Sequence, residues 1–227
     1  MIKEDKQFRV NYDPKKTKAI NSITANLKKY VQVFNKFFGI KPQVNVQLVY
    51  DRKEYDFYSG TKSENWMSGY YNGKMVIVFD PDSFEKETCH KKEEFPGTLK
   101  HETAHVYICN LARGRVPAWL NEGLASHLGQ GKGKEYFNMK SADRKGPILN
   151  VNKNKDNRYV WYTQAPCFVE FLIKKKGKEG ILELIKESRN ELDKTHSMEL
   201  ASDKSCIKVY NQNIKELNKE WLNYIKK

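Results

Sequence analysis

The chain has 227 residues, of which 39% are apolar and 12% aromatic, a composition typical of a globular protein and not of a disordered one. It has no run of about 18 apolar residues, so the sequence predicts no transmembrane span. Residues 1–13 lack the apolar segment of a signal peptide. We therefore expect a soluble, cytoplasmic protein, although an exported chain trimmed of its signal peptide would look the same.

The chain is strongly basic, with 41 Lys and Arg against 28 Asp and Glu and a formal net charge of +13. The excess of positive charge is spread along the sequence, and residues 61–130 hold about as many acidic as basic side chains. A nucleic-acid groove would need clustered cations with interleaved aromatic residues. We therefore expect a solvated, lysine-rich surface, and nucleic acid is not the favoured partner.

The four cysteines are scattered at positions 89, 109, 167 and 206, and no two of them form a C-x-x-C pair. This spacing is typical neither of a disulfide framework nor of a cysteine zinc site, so reduced thiols are expected. Cys109 falls near one helix face with His105, and we expect it to be a small buried side chain and not a metal ligand.

In chain order, the apolar residues first predict an amphipathic helix of about five turns over residues 20–38. Residues 44–50 alternate as a half-buried strand does. Residues 69–79 indicate a hairpin with a type I′ turn at Asn72-Gly73. Its second strand, Met75–Phe79, is a candidate edge to which an extended peptide could add.

Beyond Phe95 the apolar periodicity is helical almost to the end of the chain. Strands followed by helices favour an α+β fold with one short sheet. We expect a single domain of residues 1–227, with an α/β lobe at 1–94 and a helical lobe at 95–227. Helices are predicted at residues 96–112, 117–129, 160–176, 178–190 and 213–225.

The stretch KHETAHV, Lys100 to Val106, contains a His-Glu-x-x-His motif. Four residues of helix advance about 6 Å and turn about 400°, so His101 and His105 project from nearly one face. Two imidazole nitrogens placed in this way can bind one Zn²⁺. Glu102 lies beside them without being a ligand, where it can accept a proton from water.

A catalytic zinc needs a third protein ligand, and VPAWLNEGLASHL, Val116 to Leu128, offers two candidates. Glu122 would lie inside an otherwise apolar helix, where a carboxylate needs a partner such as a metal. The alternative is that Glu122 is merely exposed on a polar face. His127 is the rival ligand, but it lies about 140° around the helix from Glu122, so the two should not reach one metal. The small residues Gly123 and Ala125 would let this helix lie close to the HExxH helix.

HETAH, followed after sixteen residues by Glu122 within WLNEGLA, resembles the gluzincin zinc metallopeptidases and, more narrowly, the peptidase MA-like domains. A later stretch, YTQAPCFVEFL, is similar to a third helix of that family. The resemblance covers residues 10–190. It implies a zincin-like α+β metallopeptidase domain with one Zn²⁺ bound by His101, His105 and Glu122. It also implies that Glu102 is the general base in peptide hydrolysis.

Two parts of the family's site are left open by this sequence. Thermolysin-type gluzincins have an Asp four residues after the ligand Glu, where this chain has Ser126. The group that accepts the other ring N–H of a ligand histidine is then Ser126 or a backbone carbonyl. Gluzincins also use a Tyr or His on a later helix to stabilise the oxyanion. Tyr162 is the candidate and Tyr159 its reserve, with ordinary packing as the alternative role.

Three functions are compatible with these residues. The first is a zinc peptidase acting on peptide or protein substrates, either as an endopeptidase or as an aminopeptidase. The second is a DNA-associated zinc protease, suggested by the pI of about 9.4. The third is a non-catalytic, metal-stabilised interaction module, against which Glu102 speaks because a structural site has no use for it. The sequence specifies neither the cleavage preference nor the oligomeric state.

Overall fold

A computed structural model of the chain describes residues 1–133 and 158–226, with the side chains of residues 158–162 outside the description. Five strands form one sheet in the amino-terminal part, and the rest of the described chain is mostly helical. The predicted α+β fold is confirmed. The chain forms two compact units, Met1–Tyr107 and Ile108–Lys227.

The first unit is built on a mixed sheet of strand order β1-β2-β3-β5-β4. The β2–β3 and β3–β5 pairs are parallel, whereas the β1–β2 and β4–β5 pairs are antiparallel. Its elements are β1 (Ile2–Glu4), β2 (Phe8–Asn11), α1 (Ile20–Phe38), β3 (Val44–Val49), α2 (Arg52–Ser59), β4 (Gly69–Tyr71), β5 (Val76–Phe79), α3 (Pro81–Glu87), a one-turn 3₁₀ helix (Lys92–Glu94) and most of α4 (Phe95–Ala112).

Strand β3 lies at the centre of this sheet and is buried at every residue except Asn45, which is half-buried. The prediction of an alternating, half-buried strand was wrong, because a strand with parallel neighbours on both sides is usually covered on both faces. Gln47 is a polar residue of β3 whose side chain is buried. Its Oε1 accepts a 2.6 Å bond from Asn11 Nδ2, and its Nε2 donates to the Leu48 carbonyl at 2.8 Å.

Strands β4 and β5 form the predicted hairpin, but its turn differs from the prediction. The Asn72 amide donates to the Met75 carbonyl, so Gly73 and Lys74 are the central turn residues. Type I′ requires positive φ at both, and only Gly73 has it, at +88°. Asn72 closes the turn with its side chain, since its Oδ1 accepts from the amides of Lys74 and Met75.

The edge strand of the hairpin is β4, whereas the sequence predicted that it would be β5. Strand β5 pairs with β3 on one side and β4 on the other, and all four of its residues are buried. The candidate edge at Met75–Phe79 was therefore wrong. Among the residues that the structure describes, none forms a strand on the outer side of β4, which makes β4 the edge.

The second unit is helical. Its predicted helices at 117–129 and 213–225 agree with the structure to within a residue, whereas the helix at Met198–Tyr210 was not predicted. The buried face of that helix includes Ser202 and Ser205, which interrupt the apolar periodicity. Within the described ranges, no helix is both long and apolar enough to cross a membrane. The described helices of the second unit are the end of α4, α5 (Ala118–Gln130), α6 (Arg158–Thr195), α7 (Met198–Tyr210) and α8 (Ile214–Lys226).

The long helix α6 contains one non-helical residue, Gly177, with φ 72° and ψ −175°. The break falls where the sequence separates two predicted helices, at 160–176 and 178–190, so the break is confirmed, whereas the second helix continues to Thr195. The Gly177 conformation is one that only glycine adopts without strain.

Replacing Gly177 with alanine should therefore lower the free energy of unfolding by about 1–3 kcal/mol, the cost of backbone strain at such a position. Urea denaturation followed by circular dichroism measures this change. Lys186→Ala is the control, because this exposed side chain lies in the same helix and its loss should change the free energy by less than about 0.5 kcal/mol. Equal effects of the two substitutions would contradict the assignment of strain to Gly177.

Candidate metal centre

The middle of α4 is enclosed on every side, since residues 101–108 are all buried. His101 is 8% exposed, Glu102 6% and His105 5%. A helix buried all round is normally apolar, and polar side chains within it need partners. The HExxH stretch is therefore unusual for a buried helix, and its polar side chains need hydrogen-bonding or metal partners close to them.

Helix α4 is fixed within the first unit by two tyrosine hydroxyls. Tyr107 donates to Asn35 Oδ1 at 2.8 Å and accepts from Gln7 Nε2 at 2.9 Å. Burial raises the pKa of Tyr107, so its hydroxyl stays protonated. At the start of the helix, Tyr30 donates to the Pro96 carbonyl at 3.1 Å. The two bonds of Tyr107, two residues from His105, restrain the rotation of α4 and with it the direction in which the motif side chains project, whereas the Tyr30 bond restrains only the first turn of the helix.

The two histidines of the motif converge. Their Nε2 atoms are 3.0 Å apart, and their rings are nearly perpendicular, with centroids 4.7 Å apart. In tetrahedral coordination with zinc–nitrogen bonds of about 2.0–2.1 Å, two ligand nitrogens lie roughly 3.3 Å apart. The separation of the His101 and His105 nitrogens is thus close to what one shared metal ion requires.

Glu122 in α5 completes a group of three potential ligands with this pair. One atom from each of His101, His105 and Glu122 lies within 4.8 Å of the others. Two imidazoles and one carboxylate form a ligand set of catalytic zinc sites, in which a fourth position is left for water or substrate. The three residues that the sequence proposed as ligands are therefore brought together in a group that could hold a metal ion.

The rival residues lie outside this group. His127 is half-buried, and its Nδ1 is 3.0 Å from the Lys132 carbonyl oxygen at the end of α5, to which it donates. Cys109 is half-buried, and burial, with a smaller contribution from the Glu122 carboxylate, raises the pKa of its thiol to about 11. A thiol with such a pKa is neutral near pH 7, and metals bind the thiolate.

Glu122 reaches its position through tight packing between α5 and α6. A Cβ on Gly123 would lie 2.7 Å from the Ala165 carbonyl oxygen and 2.9 Å from Val169 Cγ2. The small residue at 123 thus permits close approach to α6, whereas the sequence had suggested close approach to α4. Ser126 is 1% exposed, and its role beside a ligand histidine remains a prediction.

The backbone of Gly69 packs against the side chain of Glu102. A Cβ on Gly69, the first residue of β4, would lie 2.6 Å from Glu102 Cγ and 2.8 Å from its Oε1. The Gly69 carbonyl accepts a 2.8 Å hydrogen bond from the Tyr55 hydroxyl. Neither Gly69 nor Tyr55 was identified from the sequence, because no local pattern reports a contact made between α2, β4 and α4.

One further sequence prediction concerns aromatic residues. The side chains of Tyr162 and Tyr159, proposed as oxyanion donors, lie outside the part of the chain that the structure describes. Elsewhere in the first unit, Phe57 and Tyr58 line an open cavity of about 660 Å³. None of the three potential ligands and neither Glu102 nor Gly69 lines this cavity, so it is separate from the candidate metal centre.

Comparison with known protein families gives one match over nearly the whole chain. A family model described as "Peptidase of plants and bacteria" matches residues 6–217, a range that includes both α4 and α5. The comparison with curated proteins gives no match. The family description supports the predicted peptidase activity, and it names neither a metal nor a catalytic residue.

The contact at Gly123 gives a prediction about stability. Gly123→Ala should lower the free energy of unfolding by about 1–3 kcal/mol, because the new methyl group meets the α6 backbone and α5 must shift. Thermal unfolding of the two proteins measures the loss. Ala118→Ser, at an exposed position of α5, is the control and should have an effect within about 0.5 kcal/mol. A Gly123→Ala protein as stable as wild type would show that α5 and α6 have room to separate.

Proposed function

The chain belongs to the family described as "Peptidase of plants and bacteria". From this membership, together with the HETAH and WLNEGLA motifs, we propose that it is a zinc-dependent peptidase of the gluzincin, MA-like type. The observation that supports this most directly is the group formed by His101, His105 and Glu122, with the buried carboxylate of Glu102 next in sequence to His101. The substrates are peptides or proteins. The catalytic domain is the single domain of residues 1–227.

The donor set fits zinc in a catalytic site better than in a structural one. His101 and His105 would supply two imidazole nitrogens and Glu122 one carboxylate oxygen, which leaves a coordination position open. Structural zinc sites are instead closed by four Cys or His ligands. A bound zinc ion would supply Lewis acidity, which lowers the pKa of water and polarises a carbonyl oxygen.

Glu102 is the general base in this proposal. Its carboxylate is buried and adjoins the first ligand in sequence, where it can accept a proton from the attacking water and return it to the leaving amine. A non-catalytic metal site has no need of such a buried carboxylate, so its presence favours an enzyme over an interaction module. Tyr162, with Tyr159 as the alternative, is proposed to donate a hydrogen bond to the oxyanion.

The substrate is proposed to bind as an extended strand along β4. An exposed sheet edge offers backbone donors and acceptors to an incoming peptide, which adds as a further strand. Because Gly69 of β4 contacts Glu102, a peptide paired with this edge would lie beside the general base. This arrangement favours unfolded or flexible segments, since a helix or an internal strand of a sheet already uses its backbone donors and acceptors within its own fold.

The proposal is tested by measuring zinc content and peptide cleavage on the same preparations. Wild type and Glu102→Gln should each hold about one zinc ion per chain, as a catalytic site with three protein ligands does. Glu122→Ala should hold much less. Wild type alone should cleave a quenched peptide library efficiently, and Glu102→Gln should lose roughly 10²–10⁴-fold in kcat/KM because it cannot take up the proton.

His127→Ala is the matched control for the third ligand and should keep both its zinc and its activity. Full zinc content in Glu122→Ala, with loss of zinc in His127→Ala, would reverse the ligand assignment. A wild-type protein that binds zinc but cleaves no peptide would contradict peptidase function and favour the interaction module. Retention of wild type on DNA that falls steeply with salt would instead support a DNA-associated protease.

A further inference from the structure

Strand β4 and the general base are held together by a residue outside both. We propose that Tyr55 is a positioning residue, which holds Gly69 and so fixes β4 against Glu102 in the catalytic geometry. This inference rests on the proposed function, because it assigns Tyr55 a role in the reaction that Glu102 promotes. Three contacts within the first unit connect Tyr55 to Glu102.

The first contact is the approach of β4 to Glu102. Cβ atoms in proteins essentially never come within about 3 Å of another heavy atom outside their bonded neighbours, yet a Cβ on Gly69 would lie 2.6 Å from Glu102 Cγ. Only a residue without a side chain therefore allows this separation. Since Glu102 is 6% exposed, its carboxylate has little free space into which it could move. Any displacement of β4 therefore changes the space in which the carboxylate lies.

The second contact is the hydrogen bond from Tyr55 to the same residue. The Tyr55 hydroxyl donates to the Gly69 carbonyl at 2.8 Å, and its side chain is fully buried. Burial, and to a smaller extent the nearby Glu102 carboxylate, raise the pKa of Tyr55, so the phenol remains a donor. Strand β4 has three residues and, among the residues described, pairs only with β5, so the Tyr55 bond restrains its first residue from outside this pairing.

The third contact holds the Tyr55 ring itself. The ring stacks on Phe79 of β5, with centroids 5.0 Å apart and planes within 2° of parallel. The Arg52 guanidinium lies 5.4 Å from the Tyr55 centroid and 4.6 Å from that of Phe79. Arg52 also donates to the carbonyls of Glu64 and Met67, in the segment that leads into β4. Helix α2 therefore forms hydrogen bonds both to the segment before β4 and to the first residue of β4.

Tyr55 is distinguished from a catalytic residue by where its hydroxyl lies. The hydroxyl bonds a backbone carbonyl, and the full burial of the side chain separates it from an incoming substrate. Its effect on the reaction must then pass through Gly69 to Glu102. Such a residue should lower kcat without changing metal content, because misplacing a catalytic group costs rate while the metal ligands stay in place.

The test compares Tyr55→Phe with Tyr30→Phe in the full-length, zinc-loaded protein. Each substitution removes one buried hydroxyl that donates to a backbone carbonyl, Gly69 in one case and Pro96 in the other. Tyr55→Phe should lower kcat at least about fivefold at unchanged zinc content. Tyr30→Phe should lose similar thermal stability but keep kcat within about twofold.

A second variant tests the route through β4. Gly69→Ala should retain zinc and lower kcat, because its methyl group displaces the Glu102 carboxylate. If both substitutions act by disturbing the same contact, the double variant should lose less activity than the product of the two single effects. Fully multiplicative losses, or a kcat for Tyr55→Phe no lower than that of Tyr30→Phe, would overturn the proposal.

Structural readouts keep this test separate from that of the proposed function. Hydrogen exchange in a peptide spanning residues 69–71 should be faster in Tyr55→Phe than in wild type and Tyr30→Phe. Crystal structures of wild type and Tyr55→Phe should differ in the distance between Gly69 and the Glu102 carboxylate by roughly 0.5 Å or more, the tolerance of a catalytic constellation. Unchanged exchange and distance would overturn the role of Tyr55. A wild type without zinc or activity would instead refute the proposed function.

Discussion

The enclosure of α4 is the constraint on which the candidate site depends. A buried stretch of helix carries two imidazoles and a carboxylate within about one and a half turns, and their polar atoms are shielded from bulk water. The two histidine side chains converge, so that their Nε2 atoms lie 3.0 Å apart, and a carboxylate oxygen of Glu122 lies within 4.8 Å of a ligand nitrogen of each histidine. Low local dielectric also strengthens every charge interaction made there.

Two glycines determine how closely neighbouring elements approach the polar groups of the candidate site. Gly69 brings an edge strand against Glu102, and Gly123 brings the helix of Glu122 against α6. Neither glycine is needed for a turn. Both allow separations that any Cβ would prevent, so the elements that carry the polar groups are located by packing and not by flexible side chains.

The sequence allowed the ligand group to be proposed because its spacing is local. The four-residue separation within HETAH and the carboxylate in an apolar helix are both visible without a fold. The role of Tyr55 was not predictable, since it depends on contacts between three elements that are distant along the chain. Misjudged details have a similar origin: β3 is buried by its neighbours, the hairpin turn is shifted by one residue, and the serines of α7 conceal its buried face.

The bond between Gln7 and Tyr107 joins residues 100 positions apart. Contacts of such long range form slowly, because a large loop must close before they contribute any stability. The hydrogen bonds within helix α4 are local in sequence, but its orientation depends on Gln7, next to β2, and on Asn35 of α1 being in place. A growing chain would therefore acquire a correctly directed histidine pair only late in folding. Metal binding by these histidines and Glu122 would then require the first unit to be complete.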